Sequence, residues 1–177
     1  MAPVNVPGHL DAAQFKAAMA CFASGVTVVT ARAPDGTDHG MTVSSFCSLS
    51  LQPPLVLTCI DASATLLPHL LAAETFGISM LSASQGALST RFADQTIDRF
   101  DDVAFSRGAT GPALLDGAVA HLECRRVAVH PGGDHHIIVG EVLSARVLTG
   151  SPLVYAQRAY GRVAPLPVEP RAPSDGS

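Results

Sequence analysis

The stretch Gly40–Leu51, GMTVSSFCSLSL, runs directly into Gln52-Pro53-Pro54 and Leu55-Val56-Leu57, and the fold is best interpreted from it. As one strand with a period of two, it separates an apolar face from a face without charge. The apolar face holds Met41, Val43, Cys47, Leu49 and Leu51, and the other holds Thr42, Ser44, Phe46, Ser48 and Ser50. Short hydroxyls beside backbone amides suit a flat, polar, anionic ligand; the alternative is an edge strand or one covered by another subunit.

Outward from this stretch, the sequence predicts strands separated by short helices. The Pro34-Asp35-Gly36 turn predicts a hairpin between a strand at Val26–Ala31 and the Met41–Leu51 strand. Further strands are expected at Leu55–Ile60, Phe76–Leu81, Ala118–Val129 and His136–Leu148. Helices are expected over Ala12–Phe22, over Ser84–Ala93, and from a cap at Asp61–Thr65 to Ala73. Asp94–Gly111 is expected to be an irregular, mobile loop. This pattern favours a closed antiparallel β-barrel over a βαβ fold.

Composition limits the classes of protein to which the chain can belong. Its 177 residues are 47% hydrophobic and only 15% charged, so we expect one domain with part of its apolar surface covered by a second copy of the chain. A net charge of −4 argues against nucleic acid or an anionic membrane as partner, and the sequence shows neither a signal peptide nor a membrane span. We expect a domain over residues 11–163, a flexible N-terminus over 1–10 and a disordered tail over 164–177.

The four cysteines lie far apart and form no CxxC pair, which excludes the usual local zinc and redox motifs. They are Cys21, Cys47, Cys59 and Cys124, each within an apolar segment. We expect them to be buried, reduced core residues, which predicts a cytoplasmic protein.

An ordered set of motifs covers the chain from Phe15 to Arg162. It comprises Phe15–Met19, Phe22–Thr30, Gly40–Phe46, Pro53–Val56, Gly133-Asp134-His135, Gly140-Glu141-Val142, Pro152–Tyr155 and Tyr160-Gly161. In this order the chain resembles the flavin reductase family, the small NADH-dependent partners of two-component flavin monooxygenases. The resemblance implies a mainly β fold, the FMN-binding split barrel, which is an antiparallel Greek-key barrel with a few short α-helices. It also implies a homodimer with flavin near the subunit interface, FMN or FAD as the flavin, NADH or NADPH as the reductant, and a monooxygenase partner.

By this resemblance, the segment of Met41, Thr42, Val43, Ser44 and Ser45 contacts the flavin. Small hydroxyls and backbone N–H groups can satisfy the polar edge of the ring while it lies flat. A donor near N1 and O2 of the ring also stabilises the anionic reduced form.

A second candidate site follows the predicted Leu55–Ile60 strand. It comprises Cys59, Ile60, Asp61, Ser63, Ala64 and Thr65, where a strand end meets a predicted helix start. Free N–H groups at a helix start, with the hydroxyls of Ser63 and Thr65, form a natural phosphate site. The alternative is plain helix capping, which needs only one of these residues.

The third candidate site is Gly133-Asp134-His135, which matches the GDH motif that the family uses for NADH. His135 can hydrogen-bond the nicotinamide amide or a ribose hydroxyl, and Asp134 can fix its tautomer. The alternatives are a structural turn histidine and a metal site of His130, His135 and His136. Adjacent strand residues point to opposite faces, which disfavours the metal.

Several single residues carry weaker predictions. In the family an equivalent of Phe92 packs near the flavin, although helix core is the simpler role here. Tyr155 and Tyr160 are candidates for lining the flavin or the dimer interface. Arg99 and Arg126 are candidates for attracting phosphate, against an ordinary role as surface ion-pair partners.

The predicted activity is hydride transfer from nicotinamide to flavin, for which no protein nucleophile is required because catalysis is mainly the placement of two rings. No GxGxxG or P-loop motif is present in a suitable context, so a nucleotide is not held in either of those ways. The alternatives are a flavin-binding electron carrier without reductase activity and a split-barrel oxidase acting on a pyridoxal-type amine. The Gly133-Asp134-His135 motif favours the reductase.

Overall fold

The structure is a computed structural model that describes residues 10–166. Its helices are α1 (Ala12–Ala20), α2 (Leu67–Ala72) and α3 (Gly86–Ala93). Its strands are β1 (Ser24–Gly25), β2 (Thr27–Arg32), β3 (Asp38–Val43), β4 (Phe46–Leu51), β5 (Pro54–Asp61), β6 (Thr75–Met80), β7 (Phe105–Arg107), β8 (Ala113–Leu115), β9 (Ala120–Gly132), β10 (His135–Val147), β11 (Leu153–Ala156) and β12 (Ala159–Arg162). The flexible ends predicted for the chain fall largely on residues 1–9 and 167–177, outside the described residues.

Seven strands form one sheet in the order β3-β2-β6-β9-β10-β5-β4, with every pairing antiparallel. Its two edge strands, β3 and β4, are consecutive in the chain and are joined by Ser44-Ser45. The Cys59 N–H donates to the Ser45 carbonyl at 3.0 Å, so this link lies against β5 and the sheet returns on itself. The expected antiparallel barrel with short helices is confirmed, and no parallel βαβ pairing occurs among the described strands.

The prediction of one continuous strand over Met41–Leu51 is wrong. β3 ends at Val43 and pairs with β2, whereas β4 begins at Phe46 and pairs with β5. Ser44 and Ser45 form the turn between them, where the Ser45 hydroxyl donates to the Cys59 carbonyl at 2.9 Å. A period-two pattern cannot reveal a bend at which a chain changes neighbours, so Thr42 and Ser44 do not share one face with Ser48 and Ser50. The predicted hairpin is correct for its first half, β2 with β3.

The predicted helix cap at Asp61 is also wrong. α2 begins at Leu67, after Leu66, which provides no side-chain cap, and Pro68 lies in its first turn. The Asp61 carboxylate instead closes a local turn, accepting hydrogen bonds from the Ser63 N–H at 2.7 Å and the Ser63 hydroxyl at 2.6 Å. Proline suits the start of a helix, so α2 begins beside Pro68 rather than at the acidic residue.

Two buried clusters hold the sheet together. The larger includes Ile60, Leu66, Leu70, Phe76, Ile78 and Ile138, so α2 packs its apolar face on the interior of the sheet. The smaller includes Val28, Leu81, Phe92, Leu115 and Leu153 and lies under α3. No helix in the described part of the chain is long and apolar enough to cross a membrane.

The cysteines only partly follow the expectation. All four are free thiols, but Cys21 and Cys47 are exposed and Cys59 is half-buried, which corrects the prediction of four buried residues. Cys124 alone is a core residue, and burial raises the pKa of its thiol to about 12. Cys21 follows a helix with no buried residue, and Cys47 lies on an edge strand, so their apolar neighbours in sequence do not bury them.

Candidate functional site

The three segments predicted to bind ligands meet at one end of the sheet. Ser45 and Cys59 are joined by the two hydrogen bonds described above. The Ala62 N–H donates to the Asp134 carbonyl at 2.9 Å, and His135 lies opposite Asp61 across the β5–β10 pair. Residues far apart in sequence therefore form one continuous surface, as a binding site requires.

Only part of each segment presents its side chain to that surface. Ser44 and Ser45 are exposed, and Met41 is half-buried against the larger core cluster. Val43, Ile60 and Ala64 were predicted to belong to the site, but they are buried. Their side chains therefore cannot contact a ligand directly. These residues can contribute backbone groups only: Val43 and Ile60 point into the core as alternate strand residues do, and Ala64 is buried in the turn after β5.

The hydroxyls behind this surface are already engaged. The Thr42 hydroxyl donates to the Ser89 carbonyl at 2.7 Å, and the Tyr160 hydroxyl donates to the Ser89 hydroxyl at 2.9 Å. Ser89 thus connects β3 to the β11–β12 hairpin through α3. Tyr160 remains partly exposed, so its ring, rather than its hydroxyl, is what it can offer to a ligand.

The backbone N–H groups on which the predicted phosphate site rested are engaged within the fold. The N–H groups of Ala62, Ser63, Ala64 and Thr65 bind the Asp134 carbonyl, the Asp61 carboxylate, the Asp61 carbonyl and the Gln95 side chain, respectively. Hydrogen bonds from the Ser63 hydroxyl and N–H lower the pKa of Asp61, so the turn carries a stable negative charge. A phosphate would have to displace these partners and approach that carboxylate.

Arg99 lies in the core behind this turn, which corrects its expected role as a surface ion-pair partner. It is 8% exposed and donates at 2.6 Å both to the Gly40 carbonyl, through Nη1, and to the Asp94 carbonyl, through Nε. Its Nη2 is buried without a partner in the described structure, and burial lowers its pKa. Arg99 therefore ties the Asp94–Gly111 segment to β3 immediately before Met41. That segment is packed against the fold at this point and contains β7.

Arg126 forms no ion pair among the described residues either. It donates to the carbonyls of Leu71 and Ala73, at the C-terminal end of α2. Unpaired carbonyls at a helix end attract cations, so Arg126 stabilises α2. This role replaces both predictions made for it.

Phe92 belongs to the core rather than to an open site. Its ring is completely buried and meets the Phe100 ring edge-on at 5.1 Å between centroids. A side-chain contact between Phe92 and a bound flavin is therefore not available. Its position under Gly40 instead supports β3 from inside, in agreement with the simpler of the two predicted roles.

The β9–β10 hairpin presents His135 as predicted. Its Nδ1 lies 2.7 Å from an Asp134 carboxylate oxygen, with 42% of the His135 side chain and 90% of the Asp134 side chain exposed. This contact leaves Nε2 to meet a ligand. His136 follows on the other face of β10, and its Nδ1 is buried without a partner among the described residues. No group of three metal-binding side chains occurs within residues 10–166.

A groove of about 830 Å³ opens beside Ser44, Ser45 and Cys59. The sheet supplies one wall with Phe46, Cys47 and Leu57, and α1 with the β11–β12 hairpin supplies the other, which includes Phe15, Phe22, Tyr155, Lys16 and Arg158. Sequence reasoning missed Lys16 and Arg158. The helical spacing of Phe15, Met19 and Phe22 was visible in the sequence and predicted a helix; Phe15 and Met19 lie on α1, and Phe22 follows it. In the structure α1 has no buried residue.

Comparisons with known proteins agree with the resemblance found in the sequence. A family model described as a flavin reductase like domain matches residues 19–164. The FMN reductase (NADH) SmoA of Agrobacterium fabrum is 45% identical over 159 residues, covering 90% of each chain. The reductase component of 4-hydroxyphenylacetate 3-monooxygenase from Thermus thermophilus is 45% identical over 150 residues, covering 84% of this chain and 95% of that protein.

A solved structure matches the fold as well. The Streptomyces globisporus NADH:FAD oxidoreductase SgcE6, in complex with NAD and FAD fragments, superposes with a TM-score of 0.83 at 39% identity. The match covers 88% of this chain and 94% of that one. The mainly antiparallel β fold expected from the sequence is thereby confirmed.

Proposed function

Because the chain belongs to the flavin reductase family, we propose that it transfers hydride from NADH to FMN or FAD and supplies the reduced flavin to a partner monooxygenase. The protein is thus an oxidoreductase whose fold is the FMN-binding split barrel. NADH is favoured over NADPH because relatives such as SmoA are named as NADH enzymes.

The observation that carries this proposal is the convergence of Ser44-Ser45, Cys59 and Asp134-His135 on one surface that continues into the groove. The residues present fit a planar, polar ring. Ser44 and Ser45 supply exposed hydroxyls without bulk, and the apolar groove walls can exclude water from a ring face. The fit does not extend to a phosphate in the 62–65 turn, where the backbone donors are engaged.

When bound, the flavin supplies the hydride-accepting ring; the residues of this chain supply placement. The Ser44 hydroxyl can donate to or accept from the polar edge of the ring, and the Ser45 hydroxyl, whose proton goes to the Cys59 carbonyl, can accept a hydrogen bond from it. His135, oriented by the Asp134 carboxylate, offers Nε2 to the amide or a ribose hydroxyl of the nicotinamide nucleotide. Correct placement of two reacting groups contributes about 7 kcal/mol or more to the lowering of a barrier.

We also propose that the protein is a homodimer. Support comes from large apolar side chains that remain exposed on three strands of the sheet, namely Leu49 and Leu51 of β4, Val127 of β9, and Leu143 and Val147 of β10. Leu51 is 90% exposed, which is costly unless another surface covers it. Static light scattering at micromolar concentration tests this proposal, and a fully active monomer would refute it.

Four free thiols support a location in the cytoplasm.

One anaerobic experiment tests the activity. The protein is mixed with NADH and FMN, and the absorbance of NADH and of oxidised flavin is followed together. We expect both to fall at the same rate. Flavin binding without loss of NADH would instead identify an electron carrier. An amine oxidase would show neither change.

A further inference from the structure

The groove is mostly apolar, and the charged residues that line it within residues 10–166 are two cations. Lys16 lies on α1 and Arg158 at the tip of the β11–β12 hairpin, and no Asp or Glu lines the groove within the described structure. This is unusual in a chain with 15 acidic and 11 basic residues, of which Lys16 is the single lysine. Neither cation forms an ion pair or a side-chain hydrogen bond with a described residue, so both charges are available to an anion.

Arg158 lies in a turn whose backbone conformation is unfavourable for residues other than glycine. Gln157 and Arg158 have φ angles of 50° and 63°, in the left-handed region that favours glycine. They form the two-residue turn between Ala156 and Ala159, where Asn-Gly would be the usual choice. The Gln157 N–H donates to the Ala20 carbonyl at 2.6 Å, which fixes the hairpin tip against the end of α1. A non-glycine residue in such a position suggests that its side chain has a function.

The shape and charge of the groove together indicate the class of ligand. The sheet wall of the groove carries Ser45 and Cys59, where the proposed function puts a flat ring, and the opposite wall, formed by α1 and the β11–β12 hairpin, carries the two cations. Two cations on separate elements suit two linked anionic groups better than one. The nicotinamide nucleotide has both parts, a flat ring and a pyrophosphate.

We propose that Lys16 and Arg158 bind the pyrophosphate of the nicotinamide nucleotide, so that the groove holds this substrate beside the flavin. This inference rests on the proposed function for the identity of the nucleotide. The shared chemistry is a phosphate joined to a planar ring, and the flavin phosphate is the other source that the test must separate.

The decisive variants differ by one position in the same turn. Arg158→Gly removes the charge and relieves the left-handed backbone, whereas Gln157→Gly gives the same relief and keeps the charge. We expect both to raise the Tm, but only Arg158→Gly to raise the Kd for NAD⁺, by about fivefold, the usual effect of losing one exposed charge contact. Arg158→Lys should restore most of the affinity. Lys16→Met should weaken NAD⁺ binding in the same way.

Isothermal calorimetry on the wild-type dimer or monomer as purified gives the Kd for NAD⁺, and quenching of flavin fluorescence gives the Kd for FMN and riboflavin. Unchanged FMN and riboflavin affinities in Arg158→Gly, with weaker NAD⁺ binding, support the proposal. Weaker FMN binding with unchanged riboflavin and NAD⁺ binding would overturn it in favour of the flavin phosphate. Equal NAD⁺ affinity in Arg158→Gly and Gln157→Gly would also overturn it.

Failure of the proposed function has a different signature. In that case wild-type protein would not oxidise NADH in the presence of FMN, whatever the effect of Arg158 on NAD⁺ binding. If the wild-type protein is active but neither Arg158→Gly nor Lys16→Met changes the Kd for NAD⁺, the proposed function stands and only this inference is wrong.

Discussion

The exposed front of the site and the buried support behind it are built on different principles. At the front, Ser45 and His135 offer polar groups to a ligand and contribute little to the core. Behind them, Phe92 and Arg99 lie under β3 at Gly40, and Arg99 donates two hydrogen bonds to backbone carbonyls. We therefore expect substitutions at the front to alter binding while the fold stays normal, and substitutions in the support to lower the stability of the fold first.

The largest effect is expected behind the site, from Gly40→Ala. A Cβ at Gly40 would lie 2.7 Å from one Phe92 ring carbon and 3.0 Å from another, so the buried ring must shift. Overpacking of this kind costs about 2 to 3 kcal/mol, which we expect as a loss of unfolding free energy in urea. Gly161→Ala is the matched control, because nothing lies within 4 Å of its added carbon.

A second substitution sharpens this test. Phe92→Leu alone should be destabilising, but in combination with Gly40→Ala the two costs should not add, since the smaller side chain makes room. Additive costs would mean that Gly40 and Phe92 do not compete for space. If Gly40→Ala weakened flavin binding and left the unfolding free energy unchanged, Gly40 would belong to the binding surface rather than to the buried support.

The front of the site was largely predictable from the sequence, and the support was not. Gly133-Asp134-His135 is a local turn whose residues lie together in the chain, and the predicted Asp134–His135 contact is present. Arg99 lies 59 residues from the carbonyl of Gly40 that it binds. No periodicity reports such a contact, so surface pairing was the reasonable expectation for an arginine.

The Ser44-Ser45 bend shows a second limit of sequence patterns. Alternation of apolar and polar residues continues through the bend, because both strands have an interior face. Only the pairing of β3 with β2 and of β4 with β5 separates them. The same limit applies to the 61–65 turn, where hydroxyls typical of a helix cap satisfy a local turn instead.

A smaller effect is expected at the front, from His135→Ala. Loss of one hydrogen bond to the nicotinamide nucleotide should cost about 1 kcal/mol, or about a fivefold rise in the KM for NADH. The Kd for FMN and the unfolding free energy should stay nearly unchanged, because 42% of this side chain is exposed. Steady-state kinetics with a fluorescence titration of FMN gives both values.

His136→Ala is the comparison variant for this position. Its side chain points to the opposite face of β10, so we expect a smaller change in the KM for NADH. A larger change than in His135→Ala would show that the nicotinamide site lies on the other face of the strand. If neither variant alters the KM, the hairpin tip is a structural turn only.

The smallest effect is expected from Ser63→Ala, which tests whether the 61–65 turn belongs to the front at all. The Ser63 hydroxyl and N–H lower the pKa of Asp61 below its ordinary value of 3.8. A carboxylate with a lowered pKa stabilises the fold above the unfolded pKa, and this contribution disappears as the pH falls through the folded pKa. The Tm of Ser63→Ala should therefore lie slightly below that of the wild type above about pH 4 and converge with it in stronger acid. Because the hydroxyl is held by Asp61, the Kd for FMN should not change. A clear rise in the Kd for FMN but not for riboflavin would place the flavin phosphate at this turn, and the hydrogen bonds to Asp61 would then have to open on binding.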